Sequence, residues 1–184
     1  MIENNKSREK NGSNNKILFI ISMIAAIPLL IILIIYTNNP DSIFLHYIVN
    51  SSANLPGITS AKNPLMSRAM SDYCKTAPLF SLMVFLFSMK KLTIPSIGKT
   101  KAIKVSICSS ILFLVSNFTF LCINKELTTS VKLLKLASTN DFSLFLFYSS
   151  LYISLSMFTL MALTSYYLVF YIFKGRKYPP PRPL

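Results

Sequence analysis

A run of twenty residues without a charged side chain, residues 17–36, limits the structures that this chain can adopt. The run reads ILFIISMIAAIPLLIILIIY and lies between Lys16 and Thr37. At about 1.5 Å per residue, a helix of this length extends about 30 Å, which matches the hydrocarbon core of a bilayer. In lipid, a helix satisfies its own backbone hydrogen bonds. The run therefore predicts a transmembrane helix, and Pro28 within it predicts a kink.

The basic residues before this run are also typical of a secretory signal, so cleavage of the segment has to be considered. The apolar part of a signal is shorter and ends in small residues at the cleavage site. Here the run is long, contains Pro28 and ends in Tyr-Thr-Asn-Asn-Pro-Asp. We therefore expect the segment to stay in the protein as a membrane span.

Three further apolar runs predict three more spans. The shortest, residues 73–89, reaches the required length if Lys75 extends its ammonium group to the outer surface. The sequence thus predicts an all-α, single-domain membrane bundle of four transmembrane helices, with short interfacial helices in the periplasmic loops. The predicted segments are an arm at 1–15, spans at 17–36, 73–89, 105–123 and about 146–173, outer loops at 37–72 and 124–141, an inner loop at 90–104, and a tail at 174–184.

Each outer loop contains a short apolar pattern. The run at 43–49 is interrupted only by His46 and suits a helix lying on the membrane surface. In the second loop, Leu127, Val131, Leu134 and Ala137 share one helical face, and the preceding Glu-Leu-Thr-Thr predicts its start, with a hydroxyl as cap.

The net charge of +13 has two possible explanations. A basic soluble protein often binds nucleic acid, whereas here the basic residues lie between apolar runs, which favours the positive-inside rule and no nucleic-acid partner. Thirteen of the nineteen lysines and arginines fall in residues 1–16, 90–104 and 174–184. This distribution predicts a multi-pass protein of the bacterial inner membrane with both ends in the cytoplasm.

Small polar residues on the third and fourth spans form the candidate binding face. Such residues let membrane helices approach closely and hydrogen-bond across the contact. Two interpretations stay open, packing within the bundle and docking of another membrane helix. The candidate contact residues are Ser106, Ser110, Asn117, Ser150 and Ser154, with Ser109 and Ser116 beside the first three.

The sequence predicts no catalytic, cofactor or metal site. The predicted spans contain no ionisable residue except Lys75, all four glycines lie outside them, and His46 is the single histidine. The three cysteines lack the spacing of a metal site. Cys74 and Cys122 both lie near the predicted outer face, so a disulfide between them stays open.

Six short strings, in this order along the chain, resemble the immunity proteins that protect bacteria from pore-forming colicins of the A and B type. They are Ile27-Pro28-Leu29, Asn54-Leu55-Pro56-Gly57-Ile58-Thr59-Ser60, Asn63-Pro64-Leu65-Met66, Tyr73-Cys74-Lys75-Thr76-Ala77-Pro78, Glu126-Leu127-Thr128-Thr129 and Phe173-Lys174-Gly175-Arg176. The resemblance covers nearly the whole chain. Two departures are Ser130-Val131, where the family often has Ala-Gly, and a proline-rich tail that runs past the usual end.

The resemblance implies a four-helix inner-membrane protein with both ends cytoplasmic. It implies as partner the pore-forming domain of a cognate colicin, which inserts a hydrophobic helical hairpin into the bilayer and is prevented from opening its channel. The alternative hypothesis, from the residues alone, is a small non-catalytic subunit of a membrane transporter or secretion complex.

Overall fold

The computed structural model describes residues 21, 24–89, 98–121, 123–130 and 132–174. These residues are mostly helical. The helices are α1 (Ile27–Asn38), α2 (Ile43–Ser51), α3 (Pro64–Cys74), α4 (Ala77–Ser88), α5 (Lys99–Leu121), α6 (Lys132–Ala137) and α7 (Asp141–Phe173), and the strands are β1 (Ile58–Thr59) and β2 (Lys125–Glu126). The predicted arm, most of the inner loop and the tail after residue 174 lie outside the described residues.

Two described helices are long and apolar enough to cross a membrane, judged by length and composition: residues 99–120 of α5 and the whole of α7. The helices α1 and α4, which overlap the first two predicted spans, have 12 residues each. Pro28 lies in the first turn of α1, directly after a turn at Ala25 and Ala26. The Ala25 carbonyl accepts a 2.6 Å hydrogen bond from the Tyr73 hydroxyl, so a neighbouring helix satisfies a backbone group at this break.

The prediction of one continuous helix over 73–89 is wrong, and the predicted outer loop at 37–72 contains most of helix α3. Helix α3 ends at Cys74, and α4 begins at Ala77. Lys75 and Thr76 between them keep right-handed helical backbone angles, so the chain changes course with little unwinding. Met66, Met70 and Cys74 are spaced by four and all buried, which is the helical period that defines α3.

The other long helices begin earlier than predicted. Helix α5 starts at Lys99 rather than at residue 105, because its exposed lysines belong to the first turns of the helix. Helix α7 starts at Asp141 rather than near residue 146. Asn140 caps it, since the side-chain oxygen accepts a 3.3 Å hydrogen bond from the Phe142 backbone N–H.

The outer loops contain the predicted helix α2 and one short strand pair within a mostly helical structure. Helix α2 is present as predicted, whereas α6 begins only at Lys132. Glu126 and Leu127 therefore do not start a helix. Instead, β2 pairs in parallel with β1, with Ile58 opposite Lys125 and Thr59 opposite Glu126. The extended backbone directs Leu127 into the core, where it is fully buried.

Helix α7 is the centre of the fold and packs against α1, α3, α4, α5 and α6. The main core surrounds its first half. The largest fully buried side chains there are Leu29, Leu45, Ile58, Met66, Met70, Cys74, Leu127, Leu144, Tyr148, Tyr152 and Leu155. A smaller cluster of Val84, Phe85 and Leu160 lies further along α7. The core therefore joins both predicted outer loops to the long helix.

Candidate functional site

The serines of α5 line its contact with α7. Ser106 and Ser109 are buried, and the hydroxyl oxygens of Ser109 and Ser165 lie 2.6 Å apart. Ser110 is partly buried; its hydroxyl donates to the Ser106 carbonyl at 2.6 Å and accepts from the Tyr166 hydroxyl at 2.8 Å. Two of the predicted contact residues, Ser106 and Ser110, thus take part in packing within the protein.

The other three candidates do not join this contact as one face. The Asn117 side chain is partly buried and donates a 2.8 Å hydrogen bond to the Phe113 carbonyl of its own helix. Ser150 and Ser154 are exposed on α7, and the Ser150 hydroxyl donates to the Leu146 carbonyl at 2.8 Å. The five candidates are therefore divided between an internal contact and an exposed helix face.

Ser150 also borders a groove between α6 and the first turns of α7, which we call the α6–α7 groove. The groove has a volume of about 340 Å³. Its lining residues are Leu136, Ala137, Ser143, Leu146, Phe147 and Ser150. Leu136 and Leu146 are exposed, so the groove is an open apolar surface rather than an internal cavity.

A polar cluster, which we call the outer cap, joins the two predicted outer loops through residues 52–75 and 124–130. Its centre is the β1–β2 pair, in which the Leu127 N–H donates to the Thr59 carbonyl at 2.8 Å. Beside this pair, the Gly57 N–H donates to the Asn124 side-chain oxygen at 2.8 Å. The Tyr148 hydroxyl donates to the Ile58 carbonyl at 2.7 Å, which ties the cap to α7.

Glu126 acts as the main acceptor in the outer cap. One carboxylate oxygen accepts hydrogen bonds from the backbone N–H groups of Ala61 at 2.8 Å and Thr128 at 3.2 Å, and from the Thr128 hydroxyl at 2.9 Å. The other oxygen accepts from the Thr59 hydroxyl at 3.3 Å. Desolvation alone raises the pKa of this carboxyl group, but these hydrogen bonds to the charged form outweigh it, so the net pKa is lowered.

Asp72 is the second anion of the outer cap and neutralises two cations of the same helical segment. Its carboxylate lies 3.3 Å from Arg68 Nε and also accepts from the Lys75 ammonium group and the Ser52 hydroxyl. Arg68 in turn donates to the backbone carbonyls of Ser52 and Leu55. This ion cluster therefore attaches the end of α2 to α3.

The sequence pattern did not predict that the carboxylates of Asp72 and Glu126 lie in one polar cluster, because both were assigned to separate loops. The available signal was the set of strings that carry the family resemblance, because four of the six strings meet in this cap or in the helix below it. Ser67 and Ser71 lie between two of these strings, and their hydroxyl oxygens accept from the backbone N–H groups of Ser60 at 2.9 Å and Ile58 at 3.0 Å, both within a third string.

The histidine and the described cysteines lie in separate environments. No group of three or more His, Cys, Asp or Glu that could hold a metal occurs among the described residues. His46 is exposed and lies 4.0 Å from Asp41. Cys74 is a free thiol whose sulfur donates to the Tyr148 carbonyl at 3.4 Å, and Cys122, its possible disulfide partner, lies outside the described residues.

Together these features define a mostly helical protein with two long apolar helices, an ordered polar cap and an open apolar groove. The colicin immunity protein family model matches residues 41–177. The chain belongs to the colicin immunity protein family. No solved structure matches the chain.

Named relatives support the same assignment. The chain is 35% identical to the colicin-A immunity protein of Citrobacter freundii over 169 residues, which covers 91% of this chain and 94% of the relative. It is 36% identical to the colicin-B immunity protein of Escherichia coli over 172 residues, which covers 93% and 98%. The colicin-N immunity protein of Escherichia coli is 36% identical over 80 residues, covering 43% of this chain and 61% of that protein. These findings do not favour the hypothesis of a transporter or secretion subunit.

Proposed function

We propose that this chain is a bacteriocin immunity protein that binds the membrane-inserted pore-forming domain of a cognate colicin and prevents channel opening. The observation that carries the proposal is the similarity to the colicin-A and colicin-B immunity proteins, which extends over more than nine-tenths of this chain. No covalent chemistry is required, because a bound protein that opposes a conformational step blocks the pore by differential affinity alone.

The proposal includes four spans in the bacterial inner membrane, formed by residues 17–36, α4 with the end of α3, α5 and α7. Large apolar side chains are exposed along these helices, among them Leu79, Phe87, Leu114 and Phe170. In the proposed arrangement lipid covers this apolar surface, because its exposure to water is unfavourable. The concentration of lysines and arginines in residues 1–16, 90–104 and 174–184 supports cytoplasmic ends and an outer cap in the periplasm.

Within this arrangement, Ser150 and Ser154 are the best candidates for direct toxin contact. Both are exposed, both are small, and both follow Leu146 at helical spacing on α7. A toxin helix could approach closely along this stripe. Ser106 and Ser110 would act indirectly, by holding α5 against α7, and Asn117 keeps its hydrogen bond within α5.

A killing assay tests the proposal. Sensitive bacteria expressing the chain are challenged with colicins of the A, B and N types and with a nuclease colicin that uses the same receptor. Survival against one pore-forming colicin, with unchanged killing by the nuclease colicin, is the expected result. Killing by every pore-forming colicin, with the protein present in the membrane, would refute the proposal.

The contact face is tested by Ser150→Leu combined with Ser154→Leu. Two bulky side chains would keep a toxin helix away from α7. We expect the toxin concentration needed to kill the cells to fall at least tenfold, which is equivalent to a loss of about 1.4 kcal/mol of binding free energy. The matched control is Cys108→Leu, which adds a similar side chain at an exposed position on α5. Equal protection by both variants would show that this face of α7 is not the contact.

A further inference from the structure

The carboxylates of the outer cap and of Asp141 all have partners within the protein, whereas two lysines on the neighbouring helix α6 have no ion-pair partner among the described residues. Asp72 binds Arg68 and Lys75, Glu126 accepts four hydrogen bonds, and Asp141 accepts one from the Asn63 side chain. Lys132 and Lys135 on α6 are exposed and form no ion pair with any described residue. Two positive charges on α6 therefore lack a carboxylate partner in the described structure.

These two lysines lie next to the α6–α7 groove. Lys135 precedes Leu136, which lines the groove, and Lys132 is four residues before Leu136 and so shares its side of the helix. The groove opens beside the start of α7, the end that the proposed topology places at the outer membrane surface. A cationic edge above an apolar groove matches the chemistry of an anionic phospholipid, with a charged phosphate and an acyl chain.

The groove is open and lined mostly by apolar side chains, which suits a flexible acyl chain. Its surface also continues into the exposed apolar residues of α7, such as Leu146, which lipid already covers in the proposed arrangement.

We propose that the α6–α7 groove binds an anionic phospholipid, with one acyl chain against Leu136, Leu146 and Phe147 and the phosphate between Lys132 and Lys135. This inference rests on the proposed membrane placement but not on toxin binding. The lipid would hold α6 against α7 and so stabilise the second outer loop.

The test is native mass spectrometry of the purified full chain in detergent, with phosphatidylglycerol and phosphatidylcholine of identical acyl chains. The wild type is expected to retain phosphatidylglycerol in preference. Lys132→Gln combined with Lys135→Gln should weaken phosphatidylglycerol binding about 30-fold and leave phosphatidylcholine unchanged. The matched control, Lys101→Gln with Lys104→Gln, removes two exposed lysines of the same spacing from α5 and should have no effect.

A second variant keeps the test decisive if the lysine pair disturbs folding. Ala137→Phe fills the groove and should reduce binding of both lipids. Equal binding of the two lipids by the wild type, or an unchanged preference in the lysine variant, would overturn the inference. Loss of colicin protection by the lysine variant with its lipid preference intact would also overturn it, because the lysines would then contact the toxin. Lipid preference without any protection by the wild type would instead refute the immunity proposal and leave the lipid site standing.

Discussion

Removing the Asp72 carboxylate tests whether the ion cluster stabilises the outer cap. The Asp72, Arg68 and Lys75 side chains are only 10%, 14% and 17% exposed, respectively. Asp72→Ala therefore leaves two largely buried cations without an anion. Breaking a buried ion pair in this way lowers the free energy of unfolding by about 3–5 kcal/mol. Because these side chains keep some contact with water, we expect a loss near the lower limit, about 3 kcal/mol. For a chain of 184 residues, that loss lowers the melting temperature by about 6–12 °C.

A thiol-reactive fluorophore measures this effect, because Cys74 lies directly below the cluster and is 1% exposed. In a background with Cys108→Ser and Cys122→Ser, only Cys74 reports unfolding as the temperature rises in detergent. The matched control is Asp41→Ala, whose side chain is 92% exposed and should cost less than about 1 kcal/mol. Equal melting temperatures for Asp72→Ala and Asp41→Ala would refute the argument that the cluster holds the cap together.

Three further predictions follow from the same structure. Because the folded state lowers the pKa of Glu126, its carboxylate stabilises the fold above its unfolded pKa, and this stability is lost as the pH falls through the folded pKa. In the Glu126→Gln variant, the stability of the fold should decrease less as the pH falls. Size exclusion after heating measures this at pH 3–6, a range of about one to two units around the carboxyl pKa. Ser109→Leu should destabilise the α5–α7 contact by about 1–3 kcal/mol, whereas Cys108→Leu on the exposed side should not, as melting curves would show. A fluorescent protein fused after Leu184 should fluoresce in the cytoplasm, and a fused alkaline phosphatase should stay inactive; the reverse result would contradict the proposed orientation.

The apolar runs predicted α5 and α7 because a helix long enough to cross a bilayer requires a nearly uninterrupted apolar sequence. The limits of these helices were less predictable. Lys99 and Asp141 belong to their helices because charged side chains are tolerated in exposed first turns and because Asn140 caps α7. Helix α3 was not predicted because its buried face includes the polar residues Ser67 and Ser71. These serines are buried because their hydroxyl oxygens accept hydrogen bonds from backbone N–H groups in and next to β1.

The candidate contact residues were predicted by type and spacing, and the structure divides them by environment. Spacing placed Ser106 and Ser110 on one face of α5, but it could not tell whether that face meets α7 or another protein. The structure assigns Ser106 and Ser110 to the contact with α7, while Ser150 and Ser154 stay exposed. Their role in toxin binding remains a prediction for the killing assay.

The sequence by itself determined the apolar helices, the charge distribution and the family, because hydrophobic length, lysine position and ordered motifs are properties of the linear chain. Only the tertiary structure decided how the two outer loops combine. Glu126 finds its donors on Ala61 and Thr59, more than sixty residues away along the chain. No local pattern encodes that pairing, since it depends on α7 bringing the Tyr148 hydroxyl to the Ile58 carbonyl of β1.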